Sequence, residues 1–389
     1  MDKIRETVSK YREYAIAMRR HFHMHPEVGG EEIETQQKIM QELAALGLSP
    51  RKAAGTGVIA DLKGKLPGKT VALRADIDAL PLQDEIDKPY RSQNAGKCLA
   101  CGHDGHVAML LAMAGVFVDL QADLQGSVRF LFQPSEERFP GGAEAMIADG
   151  AMDGVDFVLG THLWQPLPAG TLGISYGRLM AAPDEFTITV QGKGGHGSMP
   201  QDTVCALTAG AEIVCMLNTI VGRAVDPLES AVVSLGMFRA GEVFNITPDI
   251  AVIKGTIRSF DPKIRARVWE RFDAVCSGVC QATEATCTVE KIFGYPPVIN
   301  DPDVAAVVAE SGRETTDPSM VKEIPACMGA EDFSYYQQKA PGMFLFLGIG
   351  NSEKGAAFPH HHPKFDMDES VLITGVEVMA RAALKLQAR

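Results

Sequence analysis

Val71-Ala72-Leu73-Arg74-Ala75-Asp76-Ile77-Asp78-Ala79-Leu80 opens as an apolar run and then turns acidic at every second residue. A short apolar run bounded by turn residues reads as a buried strand. Carboxylates at the carboxyl end of a strand stand where open α/β sheets keep their ligands. The flanking sequence repeats the arrangement. Residues 58–62 read as a strand and 64–68 as a turn. Residues 127–132 form a further strand ending in Gln133-Pro134-Ser135-Glu136-Glu137, and 156–162 another that finishes on Thr161-His162. Helical segments are expected at 1–20, 31–46, 107–118 and 142–149, so strands alternate with helices and a mostly parallel α/β sheet follows. On this reading Asp76, the Glu136–Glu137 pair and His162 all arrive at strand ends.

Between the first two of those ends lies Cys101-Gly102-His103-Asp104-Gly105-His106, a thiol and two imidazoles within six residues. Thiolate sulfur and imidazole nitrogen are the donors that zinc-like ions take most readily. Two such donors do not fill a metal's shell, and a lone histidine is most often a surface or hydrogen-bonded core residue. The ten histidines are clustered, however, at 21, 23 and 25, at 103 and 106, at 162, at 196 and at 360–362. Metal and catalytic sites are where histidine collects.

At 389 residues the chain is too long for one ordinary core, so two domains are expected. A net charge of -12 argues against a nucleic-acid backbone or an anionic membrane as partner. Residues 1–20 carry charges throughout and lack the apolar core of a secretory signal, and the run 107–118 is too short to span a bilayer. A cytoplasmic protein is the expectation, with its eight cysteines reduced. Cys98 and Cys101 form a C-x-x-C, but the flanking histidines do not give it a thioredoxin-like setting.

From about residue 183 the rhythm changes to strand 185–191, helix 204–221, strands 230–238 and 250–259, helix 263–283 and strand 286–293. The order βαββαβ is the ferredoxin-like unit. Gly192 to Gly197 also satisfies G-x-G-x-x-G, but Pro200 interrupts the following helix start and the surrounding unit is not βαβ. Beyond Pro296-Pro297 the earlier pattern resumes, with helix 304–312, strand 343–347, Pro359-His360-His361-His362-Pro363 and a closing helix over 369–386. The domain expectation is therefore a catalytic metal-binding domain in two parts, 1–182 and 294–389, with a smaller domain inserted at 183–293.

The metal-capable residues collected this way are Cys101, His103, Glu137, His162 and one of the three terminal histidines, with Glu136 beside them. Five N, S and O donors are too many for one tetrahedral ion and suit two adjacent ions sharing a bridge. Of two adjacent glutamates, one can bind metal while the other takes the proton of an attacking water.

These residues, with Arg19-Arg20 through Pro26-Glu27, Leu73-Arg74-Ala75-Asp76, Gly192 to His196, Asn245 to Pro248, Gly255 to Phe260, Ala330-Glu331-Asp332-Phe333 and His361-His362-Pro363, resemble the binuclear metal-dependent aminoacylase and carboxypeptidase family. The similarity is greatest to the amidohydrolase branch of hippurate hydrolase, N-acetyldiaminopimelate deacetylase and the plant indole-acetyl-amino-acid hydrolases, and it runs in order along nearly the whole chain. The resemblance implies metal ligands at Cys101, His103, Glu137, His162 and His361, the last because it stands two residues before Pro363. It implies Glu136 as general base, Asp76 supporting a ligand, and Cys101 where related enzymes place a bridging aspartate. His196 is implied to stabilise the oxyanion and Asn245 and Arg258 to hold the substrate carboxylate, chemistry that an Arg fork and a His donor suit.

Two divalent ions (zinc, manganese, cobalt or nickel), an N-acyl-L-amino acid as small-molecule substrate, and a homodimer or higher homo-oligomer using the inserted domain as lid and contact follow from the same likeness. A carboxypeptidase or dipeptidase is the alternative reaction. Leu99 stands where the family has histidine and Cys98 where methionine is common.

Overall fold

The computed structural model describes residues 2–389 and divides the chain into two compact units. The first comprises Met1–Leu179, Val298–Ala326 and Asp332–Arg389, the second Met180–Pro297 and Cys327–Glu331.

The first unit is built on an eight-stranded sheet. Its order is Arg51–Ala53, Gly57–Lys63, Gln125–Gln133, Leu66–Asp76, Phe157–Pro168, Gly342–Gly350, Leu172–Ile174 and Val321–Glu323. The four central strands, from Gln125–Gln133 to Gly342–Gly350, pair in parallel, and Gly57–Lys63 joins them antiparallel at one side. Parallel strands are covered on both faces, which is why they read as continuous apolar runs.

The helix His103–Asp119 lies against this sheet with almost every residue buried. A helix apolar all round belongs in a core, and this one packs against the helices Arg12–Met24 and Leu372–Gln387. Among the described residues no helix is long and apolar enough to cross a membrane.

Four sequence expectations change, one of them in the second unit, where the helix expected over 204–221 is two helices, Ala206–Leu217 and Ile220–Ala224. The helix expected over 1–20 is two helices, Lys3–Ser9 and Arg12–Met24, and Met1 lies outside the described residues. At the break, Tyr11 precedes the second helix and its ring lies beside Gly115, where a Cβ would come within 2.2 Å of it. The turn expected over 64–68 is shorter, because the next strand starts at Leu66. His162 is not at a strand end but in the middle of Phe157–Pro168, which runs on because Gly342–Gly350 pairs with it as far as Pro168.

The second unit is an antiparallel four-stranded sheet in the order Ala231–Ala240, Ile250–Ser259, Ala182–Gln191 and Thr286–Phe293. Helices Ala206–Leu217 and Pro262–Thr283 pack on it around Phe186, Ile188, Val268 and Phe272, completing a ferredoxin-like βαββαβ unit with its own core.

Candidate metal centre

Cys101 and His103 flank Gly102, whose φ of +93° puts it in the left-handed region that glycine enters without cost. The helix begins at once, with His103 as its first residue. The His103 Nδ1–H donates to the backbone carbonyl of Asp78 at 2.9 Å. That bond commits Nδ1 and leaves Nε2 as the ring atom a metal would take in place of a proton. His103 Nε2 is buried, has no hydrogen-bond partner among the described residues, and stands 3.9 Å from Glu137 Oε1.

The Glu pair follows the Gln125–Gln133 strand across Pro134 and Ser135. Ser135 has φ +58°, a conformation that costs a non-glycine residue about 1–3 kcal/mol. Its N–H donates to the buried Glu32 carboxylate at 2.9 Å, and the Glu137 N–H donates to Asp78 Oδ2 at 3.0 Å. Asp78 therefore braces both His103 and Glu137. The D-x-D spacing of Asp76 and Asp78 was its only signal in the sequence.

Asp76 supports a different ring: its Oδ1 accepts the His106 Nδ1–H at 2.6 Å, while His106 Nε2 accepts the Leu163 N–H at 2.9 Å. Both nitrogens of His106 are thus committed, and it acts as a brace. His162 donates Nδ1–H to the Leu163 carbonyl at 2.9 Å and turns Nε2 to within 3.6 Å of Cys101 Sγ.

Of the three terminal histidines, His360 donates to the Leu163 carbonyl and His362 accepts the Lys364 N–H while stacking on Phe358. His361 reaches Glu137 Oε1 at 3.1 Å. It too takes the left-handed region, at φ +61°, held by a 2.8 Å bond from its N–H to the Ala100 carbonyl.

The donors converge in overlapping triplets, each with its atoms within 4.8 Å of one another: Cys101, His103 and His162; Cys101, Glu137 and His361; His103, Glu136 and Glu137. Cys101 belongs to two of them. The electrostatics are those of a cation site. Burial opposes charge on His103, but Asp76, Asp78 and Glu137 outweigh it and hold its pKa up at about 10. Burial, then the carboxylates of Glu137 and Glu136, pushes the Cys101 thiol well above its usual range, so a thiolate there needs a cation. Burial together with the neighbouring His106 and His360 keeps His162 neutral, the form that binds metal. The orphaned Nε2 of His103 and this donor set fit two divalent cations.

The sequence profile of "Peptidase family M20/M25/M40" matches residues 72–385. The chain belongs to peptidase family M20/M25/M40. This M20 chain is 39% identical over 389 residues to thermostable carboxypeptidase 2 of Saccharolobus solfataricus, covering 99% of this chain and 98% of that one. It is 47% identical over 300 residues to an N-acyl-L-amino acid amidohydrolase of Geobacillus stearothermophilus, 77% of this chain and 81% of that protein. Among solved structures, it is similar to the Bacillus subtilis YXEP protein, a dinuclear metal binding peptidase from the M20 family, with 32% identity and a TM-score of 0.85 over 97% of this chain and 99% of that one. As an M20 enzyme the chain is a hydrolase of amide bonds whose cofactor is a pair of divalent metal ions.

The remaining expected residues lie in the second unit. His196 and Asn245 are brought together where the two-residue strands Gly195–His196 and Ile246–Thr247 pair, with the Gly197 N–H donating to the Asn245 carbonyl at 2.9 Å. Arg258 lies on the strand Ile250–Ser259, half-buried, with its Nε donating to Thr256 Oγ1 at 3.2 Å.

Proposed function

We propose that this M20 enzyme cleaves the amide of N-acyl-L-amino acids, releasing a carboxylic acid and the free amino acid, with Cys101, His103, Glu137, His162 and His361 holding its two ions. The observation that carries the reading is the pairing of Glu136 with Glu137 against His103, one carboxylate more than a ligand set requires. When bound, the ions act as Lewis acids on the amide carbonyl and lower the pKa of water. Glu136 takes the proton of the attacking water and returns it to the leaving nitrogen. Zinc, manganese, cobalt and nickel all accept this mixture of Cys, His and Glu donors.

For His196 the proposed role is donor to the oxyanion of the tetrahedral intermediate. Its Nδ1 accepts the Ser198 N–H at 3.1 Å, so the neutral ring carries its proton on Nε2 and has a bond to give. Asn245 and Arg258 bind the substrate carboxylate, to which a guanidinium fork is matched. The second unit, with the one-sided edge strand Ala231–Ala240 and exposed Leu228 and Phe244, is proposed as the contact of a homodimer, read by sedimentation or light scattering. Eight free cysteines support a cytoplasmic address.

A second reading, cleavage of the C-terminal residue from short peptides, draws on the similarity to carboxypeptidase 2, since a peptide presents the same amide and carboxylate. The test is hydrolysis of N-acetyl-, N-benzoyl- and indole-acetyl-amino acids beside dipeptides, by metal-stripped protein restored with zinc or manganese, with Glu136→Gln alongside. Metal-dependent turnover of the acyl-amino acids, lost in Glu136→Gln with metal content unchanged, is expected. Turnover of dipeptides alone moves the assignment to the second reading.

A further inference from the structure

Beside the helix that carries His103 a second set of donors closes on itself. His23, in the helix Arg12–Met24, is fully buried and donates Nδ1–H to Asp104 Oδ2 at 2.7 Å. Its Nε2 is buried without a hydrogen-bond partner among the described residues. That atom stands 3.3 Å from Asp84 Oδ2, at an angle that makes no hydrogen bond. Cys98 Sγ completes the group: the donor atoms of His23, Asp84 and Cys98 lie within 4.8 Å of one another, and all three residues are buried. None of the three belongs to the hydrolytic centre.

We propose that His23, Asp84 and Cys98 bind a third divalent cation of the zinc class, separate from the catalytic pair.

Four physical points lead there. A metal-binding histidine almost always donates its other ring N–H to a carboxylate, a backbone carbonyl or a water, and the Asp104 carboxylate receives it here. Two ligand atoms each about 2.0 Å from a tetrahedral ion stand about 3.3 Å apart, which is the separation of His23 Nε2 and Asp84 Oδ2. One nitrogen, one oxygen and one sulfur select a borderline-soft ion over calcium or magnesium.

Charge gives the fourth. Of the neighbouring cations, Arg19 is already engaged by Asp104 at 2.8 Å, Asp366 at 2.7 Å and Glu369 at 3.2 Å, and Arg91 by the Asp84 backbone carbonyl at 3.0 Å. A divalent ion with a Cys98 thiolate carries the same net charge as one proton on His23, so it replaces that proton without unbalancing the pocket.

The site has a structural consequence. Asp84 accepts the Ile86 and Ser92 N–H groups at 3.0 and 2.8 Å, and the backbones of Leu80 and Cys98 bond to each other. An ion there ties the loop that delivers Cys101 to the helix that carries His23.

The experiment counts metal. The full chain is saturated with zinc, freed of loosely held ion and assayed for zinc per chain, with Cys98→Ser and Cys98→Ala beside it. Three per chain in the wild type and two in both variants are expected. With cobalt in place of zinc, the sulfur-to-cobalt charge-transfer absorbance falls in Cys98→Ser by a part distinct from that lost in Cys101→Ser. A wild-type count of two overturns the proposal without reference to any variant's folding, and leaves His23 as an imidazolium shared between Asp84 and Asp104. Equal counts in the wild type and both Cys98 variants overturn it as well.

Discussion

His103 and Asp78 are joined by a 2.9 Å bond from the imidazole Nδ1–H to a backbone carbonyl, and the Asp78 carboxylate spends its own Oδ2 on the Glu137 N–H at 3.0 Å. One residue therefore aims two donors at the same space. Groups that orient metal ligands are typically worth 10–100-fold in metal affinity. Asp78→Ala leaves the His103 bond to the main chain but frees the Glu137 backbone. We expect metal affinity to fall by about tenfold or more, measured by competition with a chromogenic chelator. Wild-type affinity in a folded Asp78→Ala would show that Glu137 is oriented by other groups.

Arg19 is the largest fully buried charged side chain, and Asp104, Asp366 and Glu369 surround it. Removing one partner of a buried ion cluster strands the others, at about 3–5 kcal/mol. Arg19→Met keeps much of the volume and loses the charge, so the unfolding free energy from denaturant titration should drop by an amount in that range. Adding Asp104→Asn should restore part of the loss, because one stranded carboxylate is then gone. A double variant no more stable than Arg19→Met would show that the charge on Asp104 is not what the arginine compensates.

Gly105 sits in the first turn of the helix that His103 opens, and a Cβ there would come within 2.2 Å of Leu163 Cδ1 and 3.1 Å of Met367 Sδ. Overpacking of this kind costs about 1–3 kcal/mol. Leu163 also donates its N–H to His106 and accepts from His162 and His360. Gly105→Ala is expected to lower the melting temperature and, by shifting Leu163, to weaken metal binding as well. Unchanged metal affinity with a lower melting temperature would confine the effect to packing.

The central strands were legible in the sequence because parallel strands buried on both faces are short apolar runs, and the Leu66–Asp76 strand carries its acidic turn with it. The Cys101 to His106 segment was legible because its donors are adjacent. What the sequence could not supply is set by partners distant along the chain. The extent of the strand bearing His162 depends on Gly342–Gly350, some 180 residues away in sequence, and the seat of the Tyr11 ring depends on the missing side chain of Gly115. The brace from Asp78 to His103 uses a carbonyl that every residue has, so no side-chain type announces it. The three consecutive histidines 360–362 differ only in direction, which a left-handed turn at His361 decides.

Asp368 caps the turn that enters the last helix. Its carboxylate accepts the Ser370 N–H and Oγ–H at 3.1 and 2.7 Å, Lys354 Nζ at 2.9 Å and Asn351 Nδ2 at 2.8 Å. Burial alone would raise its pKa, but the bonds from Ser370, Lys354 and Asn351 outweigh it and hold the group down at about 2. A carboxyl whose pKa is lowered on folding contributes stability that is complete above the unfolded value, near 3.9, and is lost as pH falls through the folded one. Asp368→Asn removes that contribution at every pH. The stability gap between wild type and Asp368→Asn should therefore be constant above about pH 5 and close as pH falls from about 4 towards 2, read as paired melting temperatures. A gap that stays constant down to pH 2.5 would mean that the ionised form of Asp368 is not what stabilises the turn.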